Sequence, residues 1–459
     1  MAPQARLRPP SGTGSHPDTG RTGPRTVPSP RTASSPSVRH LGPNWYATVM
    51  GTAIVATAGT AVFPSGPHLV YQVVWALSVA MLAALVTARA VHWLRHADQA
   101  RRHLLDPAVA PFHGCTAMAP LAVAGATTAV GPGVIGERAA VLVHGVLWVA
   151  GTALGLVAAA GIPYLMATRH RIAADGASPV WLLPVVAPMV SAATGPALVP
   201  HLPAGQARAT LLLACCALFG MSLFATLLIL PLVFSRLLRH GPPALPLTPT
   251  LFLVLGPLGQ STTAVHNVAE AAPGVLGHPY ADAFRAFAVV YGVPVTGFAL
   301  LWLAVAVAMT VRAVRAGLPF AMTWWGATFP VGTCVTGAAG LARQTGLTAF
   351  LWLAAGLYAL LVAAWLTAGT RTALGLWRGD LLAPPAAKAT PVGTADVASA
   401  KTTDVASVET AGATSVRTPV AGPTKTPDAA SVWTTPAPPG PSPYARTEAP
   451  VTPQPSTRP

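Results

Sequence analysis

The side chains that could carry chemistry are few, and most lie inside apolar runs. His266 and Glu270 are spaced i, i+4, so a continuing helix sets them on one face. A histidine there is a candidate pH-sensitive group; a solvated rim is the plainer reading. Gln260 follows Pro257 by one turn. Its amide could donate to an anion or hold neighbouring helices. Hydroxyls recur at Thr52, Thr116, Ser191, Thr194, Ser261, Thr328 and Thr333. Such groups can replace part of an ion's hydration shell, or simply join helices. His113 opens an apolar run where a vestibule would fit, and His144 is expected to be a satisfied packing residue. Cys115, Cys215, Cys216 and Cys334 lack CxxC spacing and an accompanying histidine cluster, so they read as small hydrophobes. No metal site, cofactor motif or nucleophile–base pair is found, which argues against an enzyme. The glycines of residues 131–136 follow no strand, so their spacing does not indicate phosphate binding.

The elements that must position these groups follow from composition. The chain has 459 residues, 52% of them hydrophobic and only 9% charged, against about 25% charged in an average soluble domain. So little charge cannot cover a water-facing surface, and a bilayer removes the need. The net charge of +15 lies in short loops and two tails, not on a folded basic face. Nucleic acid is therefore not an expected partner, and the lipid bilayer is. A basic Pro/Gly-rich tail occupies 1–42 and a Pro/Thr/Ala-rich tail 381–459; both are expected to be disordered and cytoplasmic.

The zone at 43–380 holds ten apolar runs, each long enough for a spanning helix of ~20 residues. They are 44–63, 68–88, 112–130, 138–160, 179–200, 208–234, 246–266, 285–310, 319–342 and 347–368. The fold expected is all-α and integral to the membrane. Loops after even-numbered runs carry ten arginines and loops after odd-numbered runs carry four. Lysine and arginine mark the cytoplasmic side, so both termini are expected there.

Odd and even runs differ. Pro120, Pro184, Pro188, Pro196, Pro257 and Pro330 lie well inside odd runs, whereas the even runs hold only Pro231 and Pro294, towards an end. Proline frees a carbonyl one turn earlier, and within a bilayer that group needs protein or a wet cavity. The expectation is an inner ring of kinked odd helices around a wet path, with even helices facing lipid. No Asp, Glu or Lys lies inside any run. Intramembrane carboxylates mark cation sites and proton relays, so a neutral path with basic mouths favours anions.

Three segments then carry a resemblance: Asn44–Thr52 (NWYATVMGT), Gly256–Gln260 (GPLGQ) and Trp324–Thr333 (WWGATFPVGT). With ten runs, the chain resembles the tellurite-resistance/dicarboxylate transporter family over roughly 43–380. That family includes bacterial tellurite-resistance proteins, fungal malate permeases, yeast sulfite efflux pumps and plant guard-cell slow anion channels. The GPLGQ segment is closest to the malate and sulfite branch. The resemblance implies five helical hairpins, odd helices lining a central pore, and even helices outside. It implies small inorganic or organic anions as partners, homotrimers with one pore per protomer, and residence in the plasma membrane. It also implies that a phenylalanine of the ninth helix plugs the pore, and the matching position is Phe329. Physically, an apolar ring at a narrow neck blocks a hydrated ion by dewetting. Thr52, Thr116, Pro120, Ser191, Thr194, Pro257, Gln260, Ser261, Thr328, Pro330 and Thr333 are the accompanying candidates for pore lining or substrate binding. Two functions stay open: an anion channel or facilitator, and a secondary transporter of sulfite or malate-like dicarboxylates.

Overall fold

The computed structural model describes residues 41–173, 175–379 and 381. The two expected tails lie outside these residues, apart from Leu41, Gly42 and Leu381. The described residues contain no strand. They form α1 (Tyr46–Val62), α2 (His68–Arg95), α3 (Ala97–Leu105), α4 (His113–Val130), α5 (Pro132–Ile135), α6 (Glu137–Thr168), α7 (Leu182–Thr194), α8 (Gln206–His240), α9 (Leu255–Ala271), α10 (Tyr280–Arg315), α11 (Phe329–Thr345) and α12 (Thr348–Arg378). A helix stands at each of the ten apolar runs; α3 and α5 fall between runs.

Burial divides the long helices into two groups. In the apolar stretches containing α1 and α7, 78% and 83% of residues are buried. Most residues of α4, α9 and α11 are buried too. In α2, α6, α8, α10 and α12 the buried share is only 17–28%. The outer surface is made of side chains such as Leu142, Val146, Phe224 and Leu228. An apolar surface of that extent suits lipid and not water.

Among the described residues, seven helices are long and apolar enough to cross a membrane, or eight if the pair Ala97–Leu105 and Ala110–Val130, bent by 107°, is one span. The expectation of ten apolar spans exceeds that count at α9 and α11. Each has 17 residues, or ~25 Å at 1.5 Å per residue. Their sequences include Gln260, Asn267, Thr336 and Arg343. Other helices shield them, so no lipid demands that they be apolar.

Every inner helix is preceded by a 3₁₀ segment: Pro43–Trp45, Ala110–Phe112, Pro179–Trp181, Leu245–Val254 and Met322–Ala327. Four of the five have proline in their first two positions. Proline fits there because its missing N–H is not needed in a first turn. This corrects the expected role of Pro257 and Pro330. They are the third residue of α9 and the second of α11, so they start helices instead of kinking them. Pro120 and Pro188 do lie within inner helices, but Pro163, Pro231 and Pro294 lie within outer ones. Proline segregation is thus looser than the runs suggested, while burial segregation is sharp.

The two groups are tied by polar clamps. Trp75 of α2 donates to Thr127 Oγ1 (3.0 Å), Trp148 of α6 to the Ser191 carbonyl (2.9 Å), Trp302 of α10 to the Leu251 carbonyl (2.9 Å) and Trp365 of α12 to Thr52 Oγ1 (3.1 Å). Ser222 of α8 donates to the Val185 carbonyl at 2.7 Å. An indole N–H is a donor that must be paired when buried, and each pairing fixes an outer helix on an inner one. Among inner helices the approach is closer still. A Cβ on Gly259 would collide with the Cys334 nitrogen, and one on Gly114 with the Leu183 carbonyl. Small residues let membrane helices meet backbone to backbone.

Candidate functional site

The five inner helices wall two spaces. The larger is a chamber of about 190 Å³. Its wall takes Ile54 and Thr57 from α1, Ala122, Gly125, Thr128 and Ala129 from α4, and Val190, Ala193, Thr194 and Ala197 from α7 and the turn after it. Gln260, Thr263 and Asn267 come from α9, and Phe329 and Thr336 from α11. The spacing i, i+3, i+7 recurs as 122/125/129, 190/193/197 and 260/263/267. Residues so spaced share one helix face, so each of these three helices turns one face to the chamber. His144 is the single contribution from an outer helix.

The smaller space is an apolar pocket of about 30 Å³. The N-terminal parts of the same helices line it, with Met50, Met118, Leu183 and Leu253 among its walls and Pro330 beside them. Phe329 is the one residue common to both linings. It is 4% exposed and stands at the first position of α11, after the Met322–Ala327 turn.

The chamber's threonines bond to backbone. Thr57 Oγ1 donates to the Ala53 carbonyl (3.3 Å), Thr128 to Ala124 (3.3 Å) and Thr194 to Val190 (2.9 Å). Thr263 and Thr336 share a 2.8 Å hydrogen bond and also reach the Gly259 and Thr333 carbonyls. Asn267 Nδ2 donates to the Ala193 carbonyl at 2.7 Å. His144 Nδ1 meets Thr128 Oγ1. The Gln260 side chain is 5% exposed and has no hydrogen-bond partner among the described residues.

At the C-terminal ends of α9 and α11, His266 Nε2 lies 2.8 Å from Arg343 Nη2 and 3.1 Å from Glu270 Oε1. Arg343 Nε is 3.6 Å from the same carboxylate oxygen. Glu270, past the apolar part of α9, is half-exposed. The His266 ring beside it, and then Arg343, hold its carboxyl below the usual carboxylate range. One ring nitrogen cannot accept from Arg343 and donate to Glu270 in the same protonation state. At the other end of the ring, buried Arg89 donates to the Leu41 carbonyl at 3.0 Å and approaches His113 Nε2 at 3.2 Å.

Of the residues singled out by sequence, Thr194, Gln260 and Phe329 line the chamber, and Phe329 and Pro330 line the pocket. The others face helices instead. Thr52 bonds to the Thr48 carbonyl and receives Trp365. Ser191 accepts from Thr152 of α6 (2.9 Å), and Ser261 donates to Leu258. Thr328 donates to Trp325, and Thr333 to Pro330. Thr116, Pro120 and Pro257 line neither space. Thr57, Thr128, Thr263, Asn267 and Thr336 were missed, and His144 reaches the chamber where only packing was expected. The signal that would have found the α9 residues is their spacing from Gln260.

Residues 40–373 match the family described as voltage-dependent anion channel. The chain belongs to that family. The matched residues include all five inner helices and both spaces. Among similar proteins is one described as an uncharacterized transporter of Methanocaldococcus jannaschii. It is 25% identical over 348 residues, covering 75% of this chain and 96% of that protein. A sulfite efflux pump of Trichophyton rubrum is 26% identical over 317 residues, covering 67% of this chain and 83% of that protein. A second sulfite efflux pump, from Arthroderma benhamiae, is 25% identical over the same length. As a member of the voltage-dependent anion channel family, the protein is a membrane anion channel or transporter.

Proposed function

We propose that the protein is an anion channel or facilitator in which Phe329 closes a path running between the inner helices. The observation that carries this reading is the position of Phe329 as the one residue shared by the polar chamber and the apolar pocket. An apolar ring between a wet space and a dry one excludes a hydrated ion at little energetic cost to the fold. The ten long helices cross the plasma membrane as five hairpins with both termini in the cytoplasm, and the chain assembles as a homotrimer. Arginines at or just past the C-terminal ends of the outer helices, Arg95, Arg169, Arg239, Arg315 and Arg378, support that orientation. It turns the chamber outward and the apolar pocket towards the cytoplasm.

The test is anion flux through Phe329→Ala in liposomes. The expected result is at least about a tenfold rise, equivalent to ~1.4 kcal/mol off the barrier. Unchanged flux in a folded protein removes the gate. Light scattering of the detergent-solubilised protein tests the trimer. A second reading, sulfite export by a coupled transporter, is favoured by the similarity to sulfite efflux pumps and by the GPLGQ segment. Sulfite flux that follows an imposed pH gradient supports it, and flux indifferent to the gradient excludes proton coupling.

A further inference from the structure

The chamber is rich in hydroxyls, yet the direction of their hydrogen bonds matters more than their number. A hydroxyl has one hydrogen and two lone pairs. Thr57, Thr128 and Thr194 each donate that hydrogen to the carbonyl one turn earlier in the same helix. Thr263 and Thr336 have two hydrogens between them. Every arrangement of their contacts places both on each other or on the Gly259 and Thr333 carbonyls. The threonines therefore show the chamber oxygen lone pairs, which repel an anion. His144 directs Nδ1 at Thr128, and its Nε2 is fully buried, so neither ring nitrogen is offered to the chamber.

Two groups remain with N–H to give. Gln260 lines the chamber, and its amide has no hydrogen-bond partner among the described residues. Asn267 uses Nδ2 on the Ala193 carbonyl, which occupies one of its two hydrogens. The two residues are seven apart on α9, so they share one face about 10 Å apart along the axis. Gln260 is nearer the Phe329 end, because Gly256, one turn before it, lines the apolar pocket.

We propose that the Gln260 amide is the principal anion-coordinating and specificity-determining group of the chamber, with Asn267 as a second station on the same face, and that the threonine hydroxyls are not ligands. The ligand class is small inorganic anions that accept hydrogen bonds. This rests on the chamber being the anion path. Two stations in line suit conduction, since an ion held at one and drawn to the next leaves more readily.

The experiment uses the full chain in liposomes, with nitrate and chloride as probes, in both wild-type and Phe329→Ala backgrounds. Gln260→Leu is expected to cut flux by about tenfold, while Thr57→Val, Thr194→Val and Thr263→Val each stay within about twofold. Gln260→Glu, nearly isosteric, is expected to move the reversal potential towards cation selectivity. Gln260→Asn keeps an amide and is expected to retain part of the flux. A second readout holds even for a poorly conducting variant. Nitrate should raise the melting temperature of the wild type in detergent and not that of Gln260→Leu. Full flux and full nitrate stabilisation in Gln260→Leu, with losses in the valine variants, overturns the assignment. Absence of anion flux from both the wild type and Phe329→Ala instead overturns the channel reading, and the nitrate-induced shift then decides the assignment by itself.

Discussion

α8 and α9 follow one another in sequence and pack together, yet they are built differently. α8 runs 35 residues, shows Phe224 and Leu228 to the outside, and has 22% of its apolar stretch buried. α9 runs 17 residues, opens on a ten-residue 3₁₀ segment, and carries Gln260, Thr263, His266 and Asn267. The difference teaches which solvent each helix faces. A lipid-facing helix must satisfy its own backbone and present apolar side chains along the full bilayer thickness. A helix shielded by others can be short, polar and irregular at its start. The polar side chains that line the chamber thus come, His144 apart, from helices that other helices shield.

That contrast can be broken most severely at Gly259. A side chain there would collide with the α11 backbone at Thr333 and Cys334. Gly259→Val is expected to cost roughly 1–3 kcal/mol, at the upper end because backbone must move. A lowered melting temperature in detergent checks it, and an unchanged one would show that α9 and α11 are not held in register by this contact. The clamps between the rings come next. Trp302→Phe removes the indole's hydrogen bond to the Leu251 carbonyl and is expected to cost about 1 kcal/mol, read by the same assay. On the outer ring, Gly297 of α10 is exposed, with open space where a Cβ would stand. Gly297→Ala is expected to gain up to about 1 kcal/mol from helix propensity; a loss there would reveal a packed partner on that face.

The smallest effect concerns Glu270. Its folded carboxyl titrates below the usual range, so its contribution is present above the unfolded value and disappears as pH falls through the folded one. The group is half-exposed and screened, so Glu270→Gln is expected to change stability by less than about 1 kcal/mol at neutral pH. The gap between wild type and variant should begin to close as pH falls below the unfolded carboxyl's value of about 4.3. A gap that persists in acid would assign the effect to packing.

The outer ring was legible because apolarity is what lipid requires. Its helices were nonetheless expected too short at the C-terminal end: 68–88 became His68–Arg95, and 285–310 became Tyr280–Arg315. Arginine ends an apolar run but not a helix, and it favours the negative end of the helix dipole. The inner ring was legible in place but not in orientation. Its residues are buried on all sides, so hydrophobicity does not say which face looks at the chamber. Choosing hydroxyls by type therefore mixed Thr194 with Thr52, Ser191 and Ser261, which serve neighbouring helices. Phe329 was found through a motif, and Gln260 through its place after Pro257. Asn267 and Thr263 needed only the step to i+3 and i+7 from Gln260.

The threonines that bond to their own helices have a consequence for turnover. On the proposed anion path, most of the chamber wall would offer an anion nothing to hold, and one strip on α9 would offer a little. Such a wall would keep dwell times short. A blocker designed to mimic the transported ion would gain little grip there.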